Sequence, residues 1–309
     1  MPTALITGGT GLIGKNLTAH LIARGYDVII LSRENNLVSK TNNVTYAQWD
    51  IDKKLVDINA LSKADYIIHL AGAGIADKRW TKKRKQEIID SRVKSSELLI
   101  KALQENENHV KAVVGASAIG WYGEEEFSFA GKKNFTEMAP ASDDFLGQTC
   151  LKWERSIEPL TQLNKRLVIL RTGIVLSNDG GALAEFIKPL RFGLATILGD
   201  GKQIISWIHI DDLARIYTKA TESDSMSGVY NAVAPLPVSN KELVLQLARK
   251  RRGNFFIPIY VPSFVLKVVL GEVSSEVLKS ATVNNDKIKN TGFTFLYPTI
   301  DSALDNLSS

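Results

Sequence analysis

Eight residues near the N-terminus, TGGTGLIG (Thr7–Gly14), constrain this chain more than any other stretch. Gly8, Gly11 and Gly14 recur at every third position, after the short apolar run Ala4–Thr7 and before a helical pattern over Leu12–Arg24. In such a strand–turn–helix unit, one glycine makes the tight turn and the next lets a pyrophosphate approach the backbone. The last lets helix and strand pack closely. The helix start then offers free N–H groups and the positive end of its dipole to the phosphates. The bland alternative is a tight turn without a ligand, and the strand–turn–helix setting argues against it.

The same alternation continues down the chain. Asp27–Arg33, Val44–Asp50, Ala64–Gly72, Lys111–Ser117 and Arg166–Leu176 are Val/Ile/Leu-rich runs of the kind that buried parallel strands show. Helical patterns separate most of them, which implies a doubly wound parallel sheet. After Leu176 the rhythm changes. Glycines and aromatics crowd Gly180–His209, and Gly228–Val233 supplies one more strand. Ser239–Lys250 is a helix, with Ser239 as its cap and Glu242 completing a capping box. The expected fold is therefore α/β: a Rossmann-type doubly wound parallel sheet from residues 1–175 and 206–235. A smaller, mostly helical C-terminal lobe comes from residues 176–205 and 236–309. A ligand would lie between the lobes, outside the carboxyl ends of the strands.

Composition narrows the class. The chain has 309 residues, 44% hydrophobic and 23% charged, as an ordinary globular protein does. A net charge of +5 is too mild to call for a nucleic-acid partner. Cys150 is the sole cysteine, which rules out an intrachain disulfide and speaks against a cysteine-built metal site. That fits a reducing, cytoplasmic setting. The N-terminal apolar run lacks a basic lead and reads as a strand rather than a signal peptide. Val261–Gly271 is too short to span a bilayer. No internal repeat or low-complexity tract interrupts the sequence.

Around the glycine turn, the second strand ends in Ser32–Arg33, where an NAD-selective site usually carries an acidic residue for the ribose 2′-OH. A neutral hydroxyl followed by a guanidinium suits a 2′-phosphate instead. The expected cofactor is NADP(H). A solvated strand end is the plain alternative for Arg33.

The motifs TGGTGLIG, HLAGAGI, SAIGWYG, LRTGIVLS, LGDGKQIISWIHIDDLA, GVYNAVAP and GFTF occur in an order that resembles the extended short-chain dehydrogenase/reductase superfamily. More closely, the chain is similar to the atypical "epimerase family protein" branch, the YfcH-like proteins, over nearly its whole length. The resemblance implies a Rossmann core, NADP(H) binding and, from the family name, sugar-nucleotide epimerisation. It places Gly8, Thr10, Gly11, Leu12, Ile13 and Gly14 at the phosphates and Ser32 and Arg33 at the adenosine end. Asp50 falls near the adenine, and Leu70, Ala71 and Gly72 line the cofactor. Glu87 and Arg92 reach in from the following helix, and Thr172, Gly173 and Ile174 sit at the nicotinamide end. Arg92 as a surface ion-pair residue remains the alternative.

The superfamily's chemistry uses a Tyr as acid/base and a Lys four residues later that lowers its pKa and holds the nicotinamide ribose. Here Leu146 and Cys150 stand at that spacing, and none of the eight tyrosines has a Lys four residues later. Ser117 matches the position that polarises a substrate oxygen. Tyr122 can face the pocket or pack in a loop. Trp207, His209 and Asp211 alternate, so an extended segment would put them on one face; alternatively, His209 and Asp211 cap the next helix, with Asp211 as N-cap. Lys152 would reach the ribose only from a rotated helix, since two residues past Cys150 is roughly 200° around. Cys150, with no His nearby in sequence, reads as a small buried hydrophobe. The basic run Lys78–Lys85 reads as a solvated face with local partners, and Trp80 as packing, since no nucleic-acid motif accompanies them.

Two functions follow. One is an NADP(H)-dependent oxidoreductase or epimerase-like enzyme working through Ser117, Tyr122 or His209 on a small-molecule substrate, with neither nucleic acid nor membrane as partner. The other is a non-catalytic NADP(H)-sensing protein that regulates a partner.

Overall fold

In a computed structural model that describes residues 1–34, 37–125 and 134–308, the chain builds an eight-stranded sheet with helices on both faces. Its first half runs β1 (Thr3–Thr7), α1 (Leu12–Ala23), β2 (Asp27–Ser32), β3 (Val44–Asp50), β4 (Leu55–Val56), α2 (Ile58–Ser62), β5 (Tyr66–His69), α3 (Lys82–Glu105), β6 (Ala112–Ala118), α4 (Phe145–Ile157) and β7 (Arg166–Thr172). There follow β8 (Ile174–Ser177), β9 (Gly180–Gly181), α5 (Ala182–Leu190), β10 (Leu194–Leu198), β11 (Ile204–Ile205), β12 (Trp207–His209), α6 (Ile210–Glu222) and β13 (Gly228–Ala232). The tail holds β14 (Val238–Ser239), α7 (Asn240–Arg252), β15 (Ile257–Val261), α8 (Ser263–Leu270), α9 (Val273–Leu278), α10 (Asp286–Lys289) and α11 (Ile300–Ser308).

The sheet order is β13-β7-β6-β5-β1-β2-β3-β4, parallel throughout except for the antiparallel β3–β4 edge. Strand direction leaves β1 towards β2 on one side and towards β5 on the other. The crevice above the carboxyl ends of β1 and β5 is therefore the topological switch point, where such sheets bind ligands. Alternate strand residues serve two cores. Ala4, Ile6, Val28, Ile30, Val168 and Leu170 pack under α1 and α6, with Leu17, Leu21, Leu213 and Tyr217. Leu5, Ile29, Leu31, Ile67, Leu167 and Ile169 pack on the other face, with Leu99 and Leu103 of α3 and Ile157 of α4.

The long run expected as one strand, Arg166–Leu176, is two. It breaks at Gly173, where a Cβ would lie 2.7 Å from the Ser206 carbonyl oxygen. Beyond the break, β8 leaves the large sheet for a small one of order β12-β8-β9. A third core gathers Leu176, Leu183, Ala195, Trp207, Leu243, Leu247 and Leu304 from β8, α5, β10, β12, α7 and α11. This part is helical, with short strand pairs β10–β15 and β11–β14 between the helices. Ser239 caps α7 as expected, accepting from the Glu242 N–H. Among the described residues, no helix is long and apolar enough to cross a membrane.

Candidate functional site

Each glycine of the turn meets a different constraint. Gly8 has φ +71° and abuts β5: a Cβ would lie 2.9 Å from the Leu70 carbonyl. A Cβ on Gly14 would lie 2.5 Å from Gly8 O and from Gly9 Cα, so α1 can lie on the turn only without a side chain. Gly11 differs. It is the N-cap of α1, at φ −77°, and its Cβ would touch only Gly8 O, at 3.3 Å. Nothing in the fold itself demands glycine there, so the space above it is open. Side chains cap α3 (Thr81), α4 (Asp144) and α7 (Ser239), but none caps α1, and its first turn holds no acid. Backbone N–H groups of that turn, around Leu12 and Ile13, are thus left to an external acceptor. This cradle fits a dinucleotide pyrophosphate.

Beside it, a buried relay fixes the turn to β5. Thr7 Oγ1 accepts from the N–H groups of Leu70 and Ala71 and faces His69 Nδ1 at 2.8 Å. The hydroxyls of Ser95 and Ser96 donate to Arg92 O, which leaves them as acceptors for His69 Nε2. The imidazole therefore carries its proton on Nε2 and accepts from Thr7. Complete burial holds its pKa down to about 4, so it is neutral.

At the β2 end, Ser32 is buried and its hydroxyl accepts from the Glu34 N–H. Arg33 is exposed and has no ion-pair partner among the described residues, Glu34 included. Asp50 closes β3, with Oδ1 accepting from the Lys53 N–H, a bond that holds its pKa low. Leu70 and Ala71 are half-buried above the turn and Gly72 is exposed. Glu87 faces solvent and pairs with Arg84 at 2.8 Å. Arg92, by contrast, is buried, so the surface ion-pair alternative for it fails.

The β6–β7–β13 end is a closed polar network. Register places Ser117, Arg171 and Asn231 side by side on the face beneath α4. Arg171 holds Glu154 through two bonds of 2.8 and 2.9 Å, and Ser117 donates to the same carboxylate at 2.6 Å. The guanidinium lies 3.6 Å over the Trp121 ring and donates to the Tyr122 hydroxyl, which donates to Asn231 Oδ1 at 2.7 Å. Asn231 Nδ2 donates one hydrogen bond to Asn284 O, and its backbone N–H donates to Glu137 Oε1. Two expectations are corrected here. Tyr122 is fully buried and stacked on Phe135; burial pushes its hydroxyl pKa up, so it is no solvent-facing acid/base. The proton of Ser117 is committed to Glu154.

Of the two readings of His209, the capping one holds and the pocket-facing catalytic one is corrected, with His209 rather than Asp211 as the N-cap of α6. Its Nδ1 accepts from the Asp211 N–H, its Nε2 is bonded to Asn306, and the ring stacks on Tyr297 at 3.8 Å. The segment bends into a helix at Ile210, so Asp211 leaves the face of Trp207 and His209. Asp211 Oδ1 accepts from Asn16 of α1, while its Oδ2 stays 3.7 Å from His209 Nδ1. Lys152 is exposed. Leu146, Cys150, Trp153 and Ile157 form the buried stripe of α4 and turn Lys152 outward, so the helix is not rotated as a ribose contact requires. Burial pushes the Cys150 thiol up to about 12. Thr172 and Gly173 are buried at the β7 end, and Ile174 is 39% exposed. The basic run finds local partners: Arg84 pairs with Asp77 and Glu87, Lys85 with Glu272, and Trp80 packs against Phe145.

Glu154, Asn231 and His69 were not singled out from the sequence. One signal was available: an Arg inside the apolar strand LVILRTG and a His inside YIIHLAG each demand a buried partner.

The NAD dependent epimerase/dehydratase family model matches residues 4–232, and a domain of unknown function, DUF1731, matches residues 261–307. The chain is 35% identical over 307 residues to the epimerase family protein SSP1921 of Staphylococcus saprophyticus, covering 98% of each chain. It is similar to the crystal structure of human epimerase family protein SDR39U1 (isoform 2) with NADPH: 30% identity, TM-score 0.83, 99% of both chains covered. It is also similar to the nucleoside-diphosphate sugar epimerase from Corynebacterium glutamicum, at 31% identity and TM-score 0.77, over all of this chain and 58% of that one.

Proposed function

The chain belongs to the NAD dependent epimerase/dehydratase family, and on that premise we propose that it binds NADP(H) at the switch point and performs hydride chemistry without the family's side-chain proton relay. The observation that carries this is the open cradle above Gly11, at a helix start with no internal cap. Gly8, Thr10, Gly11, Leu12, Ile13 and Gly14 would hold the pyrophosphate. Leu70, Ala71 and Gly72 would form the adjoining wall, and Thr172, Gly173 and Ile174 the far end. The exposed, unpaired guanidinium of Arg33 beside Ser32 favours the 2′-phosphate of NADP(H) over the bare ribose of NAD(H), and the NADPH of the human relative's structure agrees with that choice. Bound NADPH would supply a hydride to an electrophilic carbon. No side chain named at the outset as an acid is free to follow it with a proton, so water would serve, and sugar-nucleotide epimerisation should be slow or absent.

A second reading has a specific observation behind it. Tyr122 and His209 are satisfied inside the fold and the Ser117 proton is taken by Glu154, as a protein that senses NADP(H) without turnover would allow.

Calorimetric titration with NADPH and NADH tests the binding site. NADPH should bind more tightly, and Gly11→Val should abolish binding while the melting temperature holds, because the added side chain fills only the cradle. A folded Gly11→Val protein with unchanged NADPH affinity would overturn the assignment. A hydride-transfer screen against carbonyl compounds then separates enzyme from sensor.

A further inference from the structure

Exposed large apolar side chains are scattered over most of the described surface, but one strap of chain, residues 255–269, carries seven of them. In β15 neither face is covered: Ile257 and Ile259 on one side, and Pro258 and Tyr260 on the other, are all exposed. In α8, Leu266 is buried and Leu270 packs against the cluster of Trp80, Ile88, Leu146 and Val273. Phe264 and Val268 lie about half a turn round the helix from these two, where a helix of a globular protein carries polar groups. Each is 71% exposed. Phe192, 82% exposed, adjoins the start of the strap, since Gly193 O accepts from the Ile257 N–H. At roughly 200 Å² per aromatic residue, Phe192, Phe255, Tyr260 and Phe264 alone leave on the order of 550 Å² in water. That is the upper end of the largest apolar patch on an ordinary monomer, roughly 300–600 Å², before the aliphatic side chains are counted.

The charge along the strap is of one sign. From Leu243 to Gly271 the chain holds no acid, but it holds Arg249, Lys250, Arg251, Arg252 and Lys267. The next acid, Glu272, is held by Lys85. Lys250 is taken by Asp301 and Asp305, and Arg251 bonds to Asn178 and Leu307 O. Arg191, Arg252 and Lys267 are exposed and have no ion-pair partner among the described residues. Arg191 adjoins Phe192. Arg252 lies beside the start of the strap, its Nη2 3.3 Å from where a Cβ on Gly193 would lie, and Lys267 stands on α8 next to Val268. We propose that the strap is a docking face for the surface of a bilayer rich in anionic lipid. Its apolar side chains would enter the interface, and Arg191, Arg252 and Lys267 would meet the headgroups. A second copy of the chain is the poorer occupant, since a two-fold contact would bring the same cations together. An added strand is disfavoured too. Ile257 and Val261 hydrogen-bond to β10 through Gly193 O and the Gly199 N–H. The outer edge of β15 therefore belongs to Pro258 and Tyr260, and Pro258 has no N–H to give. The expectation of no membrane partner rested on length, because Val261–Gly271 is too short to cross a bilayer; lying on its surface requires no such length.

The test is co-sedimentation of the whole chain with vesicles of phosphatidylcholine alone and of phosphatidylcholine with phosphatidylglycerol in equal parts. Wild type should bind the mixed vesicles roughly tenfold or more tightly than the neutral ones, and should lose that preference as salt rises. Phe255→Ser with Phe264→Ser should weaken binding to the mixed vesicles about tenfold or more. Arg252→Gln with Lys267→Gln should weaken it roughly ten- to thirtyfold. Neither pair lies in the glycine cradle, so NADPH affinity and the melting temperature should hold in both. Wild type that ignores both vesicles, or binds them equally, overturns the proposal. So does a dimer, seen by analytical ultracentrifugation without vesicles, that the phenylalanine pair splits into monomers, since the strap would then be a contact between copies. If the phenylalanine pair fails to fold, the charge pair decides alone: unchanged binding to the mixed vesicles refutes the headgroup contact and the proposal with it.

Discussion

The two ends of the cleft above the sheet are opposites. At the glycine turn, α1 begins without a capping side chain and Gly11 faces open space. At the β7 end, Ser117, Glu154, Arg171, Tyr122 and Asn231 satisfy one another in a buried chain of hydrogen bonds. Polar residues occur at both, so polarity does not mark a binding site. Unmet hydrogen-bonding capacity does, because a group already satisfied inside the fold must break a bond before it can hold a ligand.

The comparison is broken most strongly at Glu154. Glu154→Ala leaves Arg171 buried and uncompensated, and should lower stability by about 3–5 kcal/mol, seen as a reduced midpoint in urea denaturation. A midpoint close to wild type would mean that the closed end is not structural. His69 should give the next largest effect, through pH. The imidazole titrates near 6.5 in an unfolded chain and near 4 here. Above pH 6.5 both states are neutral. As pH falls from 6.5 to 4, the unfolded chain gains a proton that the folded one refuses, and stability drops by roughly 3 kcal/mol. Replacing it in His69→Gln should remove that part of the acid sensitivity; identical pH profiles for variant and wild type would contradict the neutral relay.

Arg33→Ala should cost NADPH about 1.5–3 kcal/mol of binding, tenfold or more, and leave NADH unaffected. Equal losses for both would place Arg33 off the 2′-phosphate. The smallest effect belongs to Cys150→Ala: about 1 kcal/mol of stability or less, and little change in NADPH affinity or in any turnover found. Loss of activity would reveal chemistry on α4 that its buried, neutral thiol does not suggest.

What could be read from the sequence was local. The glycine turn, the strands and the Ser239 cap depend on neighbours within a few residues. The buried face of α4 was legible too, since Leu146, Cys150, Trp153 and Ile157 follow helical spacing, and that spacing alone turns Lys152 outward. The Ser117–Arg171–Asn231 row depends on register between strands far apart in the chain, and Arg92 on how α3 lies against α4. His209 had two readings, and only the bend at Ile210 decides between them. Neither kind of contact leaves a periodic trace.

The row also has a history in time. Glu154, Ser117 and Arg171 are all made before Asn231, because the chain passes through β8–β12 and α6 between β7 and β13. Roughly 55 residues separate the end of β7 from the start of β13, and at synthesis rates of about 5–20 residues per second that gap lasts roughly 3–11 s. For that interval the nascent sheet ends at β7, an open edge whose backbone groups have no neighbour on that side. On the ribosome, the edge strand is the last strand of the sheet to be made, and until then α4 and the Trp121–Tyr122 segment are what cover the arginine at its margin.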